Sequence, residues 1–135
     1  MGLKDTILTA KDIKEETFNV PEWKNVKVTL RGLSDEQMGS YQAKTTALRM
    51  KQQRGEQVDM EVAMRHRRAE LVVQCLLDPD TGKRIFTDGE ATKLAQKNAG
   101  IINGLFVLAQ SLSGMDRTFD QQVRDAEKNS DSARN

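Results

Sequence analysis

Most of this chain's long apolar side chains fall between Met60 and Gly114, and any fold must bury them together. The run Leu71-Val72-Val73-Gln74-Cys75-Leu76-Leu77 is apolar on nearly every side, the pattern of a helix entering an interior. The spacing predicts a helix over 60–77, with Asp59 as its cap and a mixed first half from Met60 to Arg68. Asp78-Pro79-Asp80-Thr81-Gly82 then forces a turn, because proline fixes one dihedral and glycine supplies the left-handed one. Ile85 and Phe86 are expected to return the chain to the core. Thr87 with Glu90 makes a capping box and predicts a helix over 88–97. Asn98 can cap a last helix over 99–113, where Ile101, Leu105, Leu108 and Leu112 form one stripe beside Ile102, Phe106 and Ala109. That apolar face is about 160° wide at 100° per residue, more than one packed neighbour requires. Gly114 suits the left-handed position after a helix end.

Upstream, the period changes. Val26, Val28 and Leu30 alternate with Lys27, Thr29 and Arg31, which predicts a strand with one wet face. Thr17–Val20 is its expected partner across a turn at 21–25, with Pro21 limiting the ladder. Trp23, in that turn, is read as folding back over the core, with a partner contact as the sharper alternative. Ser34 and Gln37 form a capping box ahead of Met38, Tyr41, Thr45 and Leu48, which predicts a surface helix over 35–52. Thr9 with Asp12 is a weak helix start and predicts a short helix near 9–15. The resulting expectation is a mainly helical α+β fold: a small N-terminal β-hairpin followed by four or five helices. Residues 1–16 are expected to form a flexible N-terminal segment, residues 17–114 a single globular domain, and residues 115–135 a polar tail, partly helical or disordered.

Composition excludes several classes. With 135 residues, one domain is expected, able to bury roughly two thirds of its unfolded surface. Only 4% of residues are aromatic, so large core anchors are few and a partner chain could complete some helices. A net charge of +1 gives no global argument for nucleic acid or an anionic membrane. No apolar run approaches the ~18 residues of a spanning helix, and no signal peptide is visible, so a soluble cytoplasmic protein is expected. Cys75 is the single cysteine, lies in an apolar helix and reads as a small core side chain rather than a nucleophile. His66 is the single histidine, so one chain offers no His-His or His-Cys metal set. Asp78, Asp80, Asp88 and Glu90 miss the calcium-loop register, because glycine falls at position 5 and Glu90 at 13. No nucleophile elbow and no glycine-rich phosphate loop is present, so neither catalysis nor a cofactor is expected.

Two sets of residues remain as candidate contacts. Arg65, Arg67 and Arg68 form a basic cluster that could meet an anion. The segment 44–68 carries seven Lys/Arg against three acids, a local +4. Without aromatic interleaving it reads as a solvated or partner-facing surface rather than a nucleic-acid site. Met60 and Met64, with Met115, Phe119 and Val123 toward the tail, are the candidate partner-binding residues, since methionine adapts to irregular surfaces. The bland reading is that these side chains, like Met50, close over the edge of the core.

The order of segments resembles a known family. Trp23 followed by Val26-Lys27-Val28-Thr29-Leu30-Arg31-Gly32-Leu33-Ser34-Asp35-Glu36 is similar to the opening strand and helix start of the tail assembly chaperones of long-tailed bacteriophages. Ala69–Asp78, then Gly82-Lys83-Arg84-Ile85-Phe86-Thr87-Asp88, resembles their middle. Ala99–Gly114, with Leu105-Phe106 and Ala109-Gln110-Ser111-Leu112-Ser113-Gly114, resembles their last core helix. The resemblance spans about residues 18–115 and rests on apolar positions and turns, not on a catalytic signature. It implies a non-catalytic protein that binds and solubilises the tape measure protein in the host cytoplasm and promotes tail tube assembly around it. It also implies absence from the finished virion and, in many members, a longer frameshifted product that meets the tail tube protein. Many copies on one long client imply self-association, and a head-to-tail contact would give an open spiral. The competing readings are a virion structural adaptor of the head–tail connector type and a small nucleic-acid-binding regulator.

Overall fold

The computed structural model describes residues 2–115. The elements run α1 (Leu3–Thr9), β1 (Glu15–Val20), β2 (Val26–Arg31), α2 (Asp35–Gln53), α3 (Met60–Cys75), β3 (Leu76–Leu77), α4 (Ala91–Leu94) and α5 (Ala99–Leu112). The expected class, mainly helical α+β with a small sheet near the N-terminus, is what these elements build. Several bounds differ from expectation, each for a local reason.

The first helix lies at Leu3–Thr9, not near 9–15. The Thr6 and Thr9 hydroxyls donate back to the carbonyls of Gly2 and Asp5 at 3.2 and 2.8 Å, so Thr9 ends a helix instead of starting one. Ala10 is already extended, and the chain enters β1 at Glu15. The hairpin pairs β1 and β2 from Glu15 opposite Arg31 to Val20 opposite Val26. Pro21 opens a 3-10 turn, Pro21–Trp23, beyond the ladder, so its missing N–H costs the sheet nothing. Lys24 and Asn25, at φ 56° and 57°, complete the reversal in the left-handed region. Trp23 folds back and packs, partly buried, against the core.

The wet face expected on β2 holds at Lys27 and Arg31, which are exposed, and fails at Thr29. Val28, Thr29 and Leu30 are 3%, 6% and 0% exposed in succession, while Val26 is 45% exposed. The cause is topological: β2 is the middle strand of an antiparallel sheet ordered β1-β2-β3. Thr29 tolerates burial because its hydroxyl pairs across the strands with that of Thr17 at 2.7 Å.

The third strand is a correction to the predicted helix over 60–77. The helix stops at Cys75; Leu76 is extended at φ −83° and ψ 118° and pairs opposite Leu30, with Leu77 opposite Thr29. The turn that follows is closed by the Gly82 N–H donating to the Asp78 carbonyl at 2.7 Å, with Gly82 at φ 71°. Phe86 packs on the core as expected, but Ile85 stays 41% exposed. Over 88–97 the capping box of Thr87 and Glu90 forms. It starts only a 3-10 turn, Asp88–Glu90, and the four-residue α4, which buries Ala91 and Leu94.

The core is compact around one segment. Leu30, Leu71, Val72, Val73, Cys75 and Leu76 are each under 2% exposed. Onto them α5 places Ile102, Leu105 and Ala109, while α2 contributes only Tyr41 to the fully buried set. The far end of α5 is pinned to the end of β2. The Leu33 N–H donates to Ser113 Oγ at 2.9 Å, and an added Cβ on Gly32 would stand 2.3 Å from the Leu112 carbonyl oxygen. That contact is backbone on backbone, so neither side can move away cheaply. Gly32→Ala should therefore lower the stability by about 1–3 kcal/mol or more, as overpacking does. Urea denaturation checks this; an unchanged midpoint would show that α5 is not held at this point.

Candidate partner-binding surfaces

The basic cluster separates once it is placed on α3. Arg67 points inward and is 3% exposed. Its guanidinium donates to the Tyr41 carbonyl, to Thr45 Oγ1 at 3.1 Å and to Glu70 Oε2. It also lies 3.9 Å from the centre of the Tyr41 ring, and the Tyr41 hydroxyl donates to the Arg67 carbonyl at 3.0 Å. Burial pushes the Tyr41 phenol up, with the Arg67 charge pulling the other way. The arrangement is a buried clasp between α2 and α3, and Arg67 is unavailable to an external anion. Arg65 and Arg68 remain exposed, and Arg65 faces Glu61 one turn earlier at 3.7 Å.

The acidic residues near the turn have local duties. Asp78 Oδ1 accepts the Asp80 N–H at 2.8 Å, Asp88 pairs with Arg84 at 2.7 Å, and Glu90 accepts the Thr87 N–H at 3.0 Å. Those Thr87 hydrogen bonds hold the Glu90 carboxyl below its ordinary value. Cys75 is buried, and burial pushes its thiol up to about 12, with Arg84 and Arg31 pulling weakly the other way. A thiol so placed is neither a thiolate nucleophile nor a ready ligand.

The candidate partner residues meet different fates. Met64 is 37% exposed and Met60 is half-buried one turn before it, on the same face of the first half of α3. Val62, 43% exposed, and Met50 on α2, 51% exposed, add apolar surface nearby in sequence. Met115 packs, partly buried, against the core. Phe119 and Val123 lie outside the described residues.

Composition did not point to one concave apolar surface of the described residues. A groove of about 480 Å³ runs between the hairpin turn and α5, walled by Phe18, Val20, Pro21, Ile101, Leu105 and Leu108. The wide apolar face of α5 was its one sequence signal: Ile102, Leu105 and Ala109 face the core, leaving Ile101 and Leu108 half-buried and Val107 54% exposed. The exposed stripe on α1, Leu3, Ile7 and Leu8, went unread because the helix was placed too late. Among the described residues, no helix is long and apolar enough to cross a membrane.

A family model described as phage tail assembly chaperone matches residues 2–129. Among solved structures, that of the bacteriophage HK97 tail assembly chaperone is similar. It has a TM-score of 0.56 and 23% identity, and the match covers 81% of this chain and 95% of that one. At that identity the likeness is one of fold. A search of curated proteins finds no match.

Two expectations follow from the buried groups. Arg67→Ala should cost about 3–5 kcal/mol, since it strips one partner from a buried, hydrogen-bonded pair, and Arg67→Lys should not restore it because the fork geometry is lost. Denaturant midpoints of the two variants check this. Cys75 should resist iodoacetamide at pH 8 in the native protein and react fully once it is unfolded. The unfolded thiol titrates near its ordinary ~8.5, below the folded value. Its contribution is thus complete below about pH 8.5 and is lost as pH rises toward 12. Thermal melts from pH 7 to 11 should show stability falling on that alkaline side.

Proposed function

The chain belongs to the phage tail assembly chaperone family, whose model spans residues 2–129, and on that premise we propose that it binds and solubilises the tape measure protein while the tail tube forms. The observation that carries this reading is apolar helical surface that the described residues leave uncovered. The first half of α3 offers Met60, Val62 and Met64 to a client, and methionine accommodates the irregular side chains of a long helical partner. Phe119 and Val123 are a second contact set in this proposal. Met115, packed on the core, anchors the start of that segment. The role is non-catalytic, takes place in the host cytoplasm and ends before the virion is complete. Contact with the tail tube protein, through a longer frameshifted form where one is made, and association between copies belong to the same reading. The burial of Arg67 weighs against the nucleic-acid alternative, because it removes the central charge of the basic cluster.

Co-expression with the tape measure protein tests the proposal directly. The tape measure should be soluble with the wild-type chain and at least tenfold less so with the pair Met60→Asp and Met64→Asp. Both positions are far enough from full burial for the fold to survive, which circular dichroism checks. A tape measure equally soluble with or without the wild-type chain sinks the reading. Mass spectrometry of purified virions should find no copies of the chain; stoichiometric copies would favour the structural adaptor.

A further inference from the structure

We infer that α1 of one copy seats in the groove between the hairpin turn and α5 of a second copy. This rests on the reading that several copies line one client, and it names the surfaces they use on each other. The first half of the match is α1 itself. None of its residues is buried, and Leu3, Ile7 and Leu8 are 77%, 62% and 72% exposed. Leu3 and Ile7, four residues apart, share one face of the helix, and Leu8 flanks them about 100° round from Ile7, so the three span an apolar arc of about 140°. The second half is the groove of about 480 Å³, with Ile101, Leu105 and Leu108 along one wall.

Size and charge agree. The seven residues of α1 are about 10 Å long, and Ile101 to Leu108 is the same length along α5 at 1.5 Å per residue. An added Cβ on Gly104, which lines the groove, would meet nothing within 4 Å, so another backbone can approach α5 closely there. Glu22 is the one charged residue lining the groove. Residues 2–14 carry Lys4, Lys11 and Lys14 against Asp5 and Asp12, three minus two, a net +1. Lys4 on α1, with Lys11 and Lys14 behind it, is thus a cation for the acidic rim at Glu22.

The chain's own arm fits its own groove poorly. The arm enters the sheet at Glu15, and the groove lies at the opposite end of β1, around Val20 and Pro21. Residues 10–14 reach at most about 17 Å when fully extended. Glu15 to Val20 covers about the same distance, which leaves no slack to turn and dock. A second copy is free of that constraint. Because arm and groove are different surfaces, each contact leaves a free arm at one end and a free groove at the other.

The test uses two full-length chains, one carrying Ile7→Cys and one carrying Gly104→Cys, mixed in equal amounts without client and oxidised. Cys75 is 1% exposed and stays out of the reaction. Peptide mapping should find a 7–104 disulfide joining the two different chains. In parallel, Gly104→Leu fills the groove from the chain's own helix into open space. It should weaken self-association at least tenfold by sedimentation while leaving the thermal melt no lower. Absence of the 7–104 link in the mixture overturns the inference. So does a link formed only within one chain carrying both cysteines, which would mean self-docking. A Gly104→Leu chain that associates normally but no longer solubilises the tape measure protein also overturns it, since the groove would then be the client's site. The linking experiment contains no client, so its failure leaves the chaperone reading standing. A client left insoluble by wild-type chain would sink that reading whatever the arm does.

Discussion

The sheet, α4 and α5 all dock on the segment from Ala69 to Leu77. Ala69, Leu71, Val72 and Val73 are fully buried, and Cys75, Leu76 and Leu77 nearly so. Its helical part receives α4 and α5, and its last two residues close the sheet against β2. Fully burying each large apolar side chain contributes about 1.5–3 kcal/mol. No other short stretch gathers as many. Loss of its packing would therefore release the sheet, α4 and α5 together. The close approach of Gly32 to Leu112 ties the same layers together from the other side, where the end of β2 meets the end of α5.

That dominance explains what the sequence could and could not reveal. Capping residues speak for themselves locally: Ser34 with Gln37, Asp59, Thr87 with Glu90, and Asn98 all sit where their side chains meet backbone N–H groups. Leu76 and Leu77 do not. Leucine favours a helix, and strand preferences span only ~1 kcal/mol, so a partner strand can override both. That partner, β2, lies more than forty residues earlier, and no local period announces the pairing. The burial of Thr29 was hidden for the same reason, since this residue reads as polar until Thr17 stands opposite it.

The surfaces were less legible than the core. Arg67 looks like its neighbours Arg65 and Arg68 in the sequence, and helical spacing alone does not say which arginine turns inward. The decision lies with Tyr41, whose carbonyl and ring receive the guanidinium from another helix. Such a charge stays buried only because its donors are satisfied; left unpaired it would cost several kcal/mol. The methionines of α3 were readable as adaptable apolar residues, and Met64 is indeed exposed, but only the fold separates Met60 and Met64 from the packed Met115.

A contact the size of the α1 stripe also sets how copies would gather. Three apolar side chains, at about 1.5–3 kcal/mol each when fully buried, supply about 5–9 kcal/mol. Association costs about 4–15 kcal/mol in lost freedom, so the balance sits near zero for free molecules. In the proposed reading, copies held along one client would not meet that cost in full, because binding would already have brought each within reach of the next and raised its effective concentration. A small apolar arm therefore suits a protein that associates weakly and reversibly when free and, in the proposed reading, more firmly along its client. A larger or oilier arm would polymerise the free chain and leave no uncovered surface for the client.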